Sequence, residues 1–162
     1  MSITTYDPDE IQVAGNVLIA LGAGFADIHA PKLSELSIIA TCPIESFDTA
    51  TDVAMKAKQC LGMANAQEIV DKRTRKLSPI TIKSNTASEA AVLALLAEDA
   101  QVGFFVRPQV PSDQVLAVSD PGWAFNARVA KIDPLTVSVG NDFAWVVEFA
   151  EVTRDLTTVL AA

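Results

Sequence analysis

Residues 143–150 read Phe143-Ala144-Trp145-Val146-Val147-Glu148-Phe149-Ala150, and their alternation decides the fold class. Phe143, Trp145, Val147 and Phe149 stand at every second position, the period of a strand and not of a helix. This strict alternation predicts a core stripe rather than a ligand platform. Upstream, Leu135, Val137 and Val139 alternate with Thr136 and Ser138, and Gly140-Asn141-Asp142 supplies a hairpin loop between the two runs. Further back, Trp123, Phe125, Ala127 and Val129 share one face, with Asn126 and Arg128 on the other. Asp120-Pro121-Gly122 and Asp133-Pro134 are turn signals on either side. Val102, Phe104 and Val106 alternate with Gly103, Phe105 and Arg107, and Gln114 to Ser119 follows as another strand. Val152, Leu156 and Val159 carry strand character to the C-terminus. Several short strands separated by turns predict a β-sandwich or barrel.

The N-terminal half is less regular. Residues 1–10 are polar and acidic (Thr4, Thr5, Asp7, Pro8, Asp9, Glu10) and read as a flexible arm. Ile11 to Leu21 is rich in β-branched residues and reads as a strand, although its periodicity also admits a helix. Gly22, Gly24 and Ala30-Pro31 punctuate a loop. Leu36 to Ile44 reads as the next strand. From Glu45 to Gln67 no clean alternation holds, and Asp48, Thr49, Thr51 and Asp52 are turn-prone, so 45–67 is expected to be a long loop with a short helical piece. Long loops in compact domains are usually functional or mobile. Glu68 to Lys83 returns to strand character, with Pro79 at an edge or bulge.

One helix is expected, over residues 86–99. Thr86-Ala87-Ser88-Glu89 has the capping-box pattern, in which the Thr86 hydroxyl and the Glu89 carboxylate satisfy each other's backbone amides. Ala91, Val92, Leu95 and Leu96 form an apolar stripe that requires a partner, and a sheet face is the natural one. The expected architecture is therefore mainly β, with one flanking α-helix, as a single domain spanning residues 1–162.

Composition narrows the function. The chain has 162 residues, half of them hydrophobic, enough to build one core without staples. No apolar run approaches the ~18 residues of a membrane-spanning helix. Val13 to Phe25 is apolar but lacks the basic flank of a signal peptide, so the chain is expected to be cytosolic when made and to have no membrane partner. Twelve Lys and Arg face twenty Asp and Glu, a net charge of −8, which is the wrong balance for gripping nucleic acid. The one basic cluster is Lys72, Arg73, Arg75 and Lys76. On a strand it splits between two faces, which suits a solvated strand or a subunit contact better than a DNA site.

The residues offer little chemistry. His29 is the only histidine, and beside Asp27 it reads as structural or solvated. A Cys–His pair would need Cys42 or Cys60 to meet His29 in space, and nothing in the sequence requires that. Cys42 and Cys60 lack CxxC spacing, so zinc is not expected; two free buried thiols or one late bridge are the alternatives. Asp7, Asp9 and Glu10 lack the glycine and distal glutamate of a calcium loop. Gly15 to Gly24 matches no phosphate-binding motif. Asp48 and Asp52 are more typical of turns than of a carboxylate pair. No catalytic, cofactor-binding or metal site is expected, and the profile suits assembly.

Three segments carry a family likeness. Asp27-Ile28-His29-Ala30-Pro31-Lys32-Leu33-Ser34-Glu35-Leu36 resembles an early stretch of the major tail (tail tube) proteins of long-tailed bacteriophages, especially those of actinobacteria. The run from Thr41-Cys42 through Phe47-Asp48 to Gln59-Cys60 is similar to the spaced cysteines of that group. The layout of one capped helix after a β region, then strands ending in Val146 to Thr158, is similar as well. The chain departs from the group at Met63-Ala64-Asn65, where glycine-rich spacing is the norm. The resemblance implies a non-enzymatic virion protein, assembled in the host cytoplasm, whose subunits form rings, usually hexameric, that stack into a tube around the tape-measure protein. Its partners would be copies of itself, the tape-measure protein and other tail proteins. DNA would pass through the lumen without specific binding, and an acidic lining would repel phosphates. The acidic arm and the 45–67 segment are the candidates for contacts between rings. Other readings stay open: a tail terminator, a contractile-system inner tube, or a small binding module or enzyme with a site assembled between subunits.

Overall fold

The computed structural model describes residues 17–40, 44, 47–58, 67–83, 86–135 and 143–162. The expected arm at 1–10, the start of the first strand, both cysteines and the Gly140-Asn141-Asp142 loop lie outside them.

The fold is mainly β with one helix, as the sequence predicts. Strands β1 (Val17–Gly22), β2 (Leu36–Ile39), β3 (Thr49–Lys58), β4 (Gln67–Leu77) and β5 (Ile80–Lys83) precede helix α1 (Ala87–Leu95). Strands β6 (Gln101–Pro108), β7 (Pro121–Pro134) and β8 (Ala144–Val159) follow it. Six of them form one antiparallel sheet in the order β2-β1-β6-β7-β8-β5, while among the described residues β3 and β4 pair with each other in a separate two-stranded sheet.

The sheet is buried on both faces. On one face Leu21, Val102, Phe104, Phe125, Val129 and Val147 meet Ile80, Ile82 and the helix residues Val92 and Leu96. Phe47 packs edge-on against Phe125, and Phe104 against Phe149. On the opposite face Phe105 and Ala124 pack with Phe25 and Leu160. Gly122 is required there, because a Cβ at this position would lie 2.4 Å from Phe105 Cζ. The two-sided burial explains why nearly every residue of β6 is buried despite its mixed sequence.

Four expectations are corrected. The described part of the 45–67 segment is not mainly a loop: Thr49–Lys58 forms one arm of a long hairpin with β4. Both faces of its outer part meet solvent, so neither periodicity nor an apolar stripe marks it in the sequence. Gln114 to Ser119 is not a strand but part of an irregular loop, 109–120, held by a buried arginine. The helix ends at Leu95 with Leu96 as its cap, short of 99, because Leu96 enters the core and Asp99 turns with positive φ. Phe143 leaves the core stripe and is 60% exposed, while Val147 is fully buried and Trp145 and Phe149 half-buried. Pro79 marks the corner where the chain leaves the hairpin and enters the main sheet at β5.

Candidate functional site

The features that distinguish this molecule are surfaces and clamps. Among the described residues no group of three His, Cys, Asp or Glu is placed to hold a metal ion. Nor is any helix among them long and apolar enough to cross a membrane.

The hairpin is the first surface. Direct cross-strand partners share a face, so Thr51 and Arg75, Val53 and Arg73, and Met55 and Val70 lie together. At the base this face turns toward the main sheet: Arg154 of β8 donates to Thr51 Oγ1 at 2.7 Å and to Thr49 Oγ1 at 3.3 Å. Farther out Val53 and Met55 are about half-exposed. The basic cluster Lys72, Arg73, Arg75 and Lys76 sits here, all of it exposed, split between the two faces as the sequence predicts. Asp52 pairs with Lys76 across the hairpin. Residues 49–77 hold six of the twelve Lys and Arg but three of the twenty Asp and Glu, which makes this stretch +3 and the rest of the chain −11.

The sheet edges are the second surface. Among the described residues no ladder joins β2 to β5, so the six-stranded sheet stays open. Outside the β8 ladder, among the described residues β5 carries the bridge from Ile82 to Ile44. Just after β2, Ala40 donates its amide inward to Ile19 O at 2.8 Å. In an antiparallel ladder successive residues alternate in direction, so the preceding amide, that of Ile39, points outward.

Two clamps hold the far end of the sheet. The segment 27–36 is tied down by its own carboxylates: Asp27 accepts from the His29 amide, and Glu35 accepts from the Ala26 and Lys32 amides. His29 Nδ1 meets Asp155 Oδ2 at 2.5 Å, and Thr158 donates to His29 O. The hydrogen bond to Asp155 raises the His29 pKa, with the charges of Asp155 and Asp27 adding to it. Asp155 is lowered by His29 and by the Thr157 amide and hydroxyl. His29 thus ties the 27–36 segment to β8.

Arg107 makes the second clamp, and sequence reasoning missed it. Its side chain is 1% exposed. Nη1 donates to Asp120 Oδ2 at 2.8 Å and to Val115 O, and Nη2 donates to Gln114 O at 2.6 Å and Pro111 O at 3.1 Å. The loop 109–120 is thus wrapped around one guanidinium. Burial acts to raise the Asp120 pKa, but the Ala117 amide and Arg107 outweigh it and hold the carboxyl below its usual range. Strand alternation places Arg107 opposite the main core, and nothing in the sequence shows that a loop covers that face too.

No curated protein matches the chain. Among solved structures, a chain of the anti-feeding prophage baseplate, determined by cryo-EM with six-fold symmetrisation, is similar with a TM-score of 0.43 and 13% identity, over 95% of this chain and 97% of that one. A family model described as phage tail tube protein matches residues 5–158. That match spans nearly the whole chain, and the protein belongs to the phage tail tube protein family.

Proposed function

We propose that this chain is the repeating subunit of a phage tail tube: copies close into rings, and the rings stack around a tape-measure protein to form a channel for DNA. The open six-stranded sheet carries this reading. An unpaired strand edge is a template for another chain, and proteins that remain monomeric blunt or cover it. Here β2 offers the outward amide of Ile39, whose side chain is exposed. A head-to-tail contact between unlike edges closes a ring when its rotation allows, and axial contacts then extend it. The role is structural and not catalytic, with the virion tail as the site of action and other tail proteins as further partners. The chain acts as one unit, since its main sheet gathers residues from Val17 to Val159. The −11 charge outside the hairpin suits a lining that DNA passes without sticking. The hairpin, more than an irregular loop, is the arm that reaches a neighbouring subunit.

Sedimentation of the purified chain over a range of concentration tests this. The wild-type chain is expected to form higher oligomers. Ile39→Pro removes an outward donor while leaving the β1–β2 ladder intact, and it shifts the population toward monomer with an unchanged circular-dichroism spectrum. Equal sedimentation of the two chains would remove β2 from the assembly contact.

A further inference from the structure

The cations of this chain fall into two groups. In the main sheet Arg107, Arg128 and Lys131 each hold a carboxylate, those of Asp120, Glu151 and Asp133. On the hairpin Lys76 holds Asp52, but among the described residues no carboxylate pairs with Lys56, Lys72, Arg73 or Arg75. All four of those side chains are exposed. A chain with twenty Asp and Glu thus leaves four cations unmatched on one arm. That arm is a two-stranded ribbon whose residues 51–57 and 68–76 are exposed on both faces. At ~3.4 Å per residue it is about 20 Å long. Its side chains alternate between two broad faces. Arg73 and Arg75 lie on the face of Val53 and Thr51. Lys72 lies opposite Ala54 on the other face, and Lys56, two residues farther along β3, shares it. Several neighbours of these cations are small, among them Thr51, Ala54, Ala57 and Thr74.

Cations divided this way match a flat anionic surface poorly, since such a surface meets one face only. The major groove of duplex DNA is a better match. It is roughly 12 Å wide, admits a two-stranded β-ribbon and is walled by a phosphate backbone on each side. A ribbon lying in it carries its cations toward both walls. We propose that the β3–β4 ribbon is a non-specific binding site for duplex DNA, with Lys56 and Lys72 reaching the phosphates of one strand and Arg73 and Arg75 those of the other. Phosphate contacts position the ribbon and carry no sequence information. Four contacts release few counterions, and the −11 remainder of the chain repels the same phosphates. Binding is therefore weak, at the upper end of the roughly 10⁻⁶–10⁻⁴ M range of non-specific dissociation constants, and a hold of that kind lets DNA slide. The site belongs to the single subunit and stands apart from the self-assembly reading above.

Fluorescence anisotropy of a labelled duplex, titrated with the purified chain between about 50 and 200 mM salt, tests it. The logarithm of the binding constant is expected to fall against the logarithm of salt concentration with a slope of about −3.6, or about −0.9 for each of four cations. Two double variants divide the site: Lys56→Gln with Lys72→Gln on one face, and Arg73→Gln with Arg75→Gln on the other. Each is expected to halve the slope, since each lost phosphate contact lowers it by about one. Lys32→Gln, outside the hairpin, is expected to leave both affinity and slope unchanged. All five side chains are exposed, so every variant keeps the wild-type circular-dichroism spectrum. Polyglutamate at the same charge concentration is expected not to displace the duplex, because it has no groove. No binding by the wild-type chain at the lowest salt, an unchanged slope in either double variant, or displacement by polyglutamate would each overturn the proposal. Self-assembly would stand in all three cases, since its sedimentation test contains no DNA.

Discussion

Replacing Arg107 with methionine keeps most of the side-chain volume and removes the charge that organises residues 109–120. Four hydrogen bonds are lost, one of them to the Asp120 carboxylate. Breaking a buried ion pair from one side costs about 3–5 kcal/mol, because the other charge is left stranded. Two features lower that figure. The Asp120 side chain is 23% exposed and can regain water. Arg107 Nε is buried with no hydrogen-bond partner, a penalty of about 1–3 kcal/mol that the substitution relieves. The expected net loss is about 1–3 kcal/mol, and it falls on the loop first. Urea denaturation followed by circular dichroism gives the global value. Elastase digestion under native conditions gives the local one, since Val115, Ala117 and Val118 are already exposed and only the loop's shape protects them. Unchanged stability together with unchanged cleavage would refute the clamp, because it would mean that the loop holds its shape without the guanidinium.

Other consequences follow from single contacts. Gly122→Ala places a methyl 2.4 Å from Phe105 Cζ and 2.7 Å from Val106 O, so thermal unfolding should show a loss of about 1–3 kcal/mol. Thr86→Ala removes the hydroxyl that accepts from the Glu89 amide, and the α1 cap should lose about 1 kcal/mol in the same assay, with Thr86→Ser recovering it. The His29–Asp155 contact gives a pH signature. Because the folded pKa of His29 is raised, its contribution is complete below the ordinary value of 6.5 and is lost as pH rises through the folded value. Because that of Asp155 is lowered from 3.8, its contribution is present above 3.8 and is lost as pH falls through the folded value. The stability difference between wild type and His29→Asn should therefore be greatest between pH 3.8 and 6.5 and shrink on either side, measured by denaturation at fixed pH steps.

The strands that build the core were legible because one face of each meets apolar neighbours. Trp145, Val147 and Phe149 of β8 and the alternating residues of β6 and β7 carry the period of a strand. The helix was legible from its cap, since Thr86 and Glu89 make both reciprocal bonds. The hairpin was not. Val53 and Met55 on one face and Ala54 and Lys56 on the other all meet solvent, so burial imposes no pattern. Val115, Leu116 and Val118 resemble a strand in composition, yet their backbone is shaped by Arg107, eight or more residues upstream. That arginine looked like an ordinary outward residue because alternation reports which side a residue faces and not what covers that side. The basic cluster was placed correctly on a split strand. What the sequence could not show was that this strand forms a positive arm on a negative body.

The claim that matters most is that copies of this chain assemble into a tube. Electron microscopy of the purified wild-type chain, imaged over rising concentration, tests it directly. Closed rings that stack end to end, with the hairpin of one subunit seated on the next, are the predicted result. Isolated single subunits at every concentration and ionic strength would contradict it.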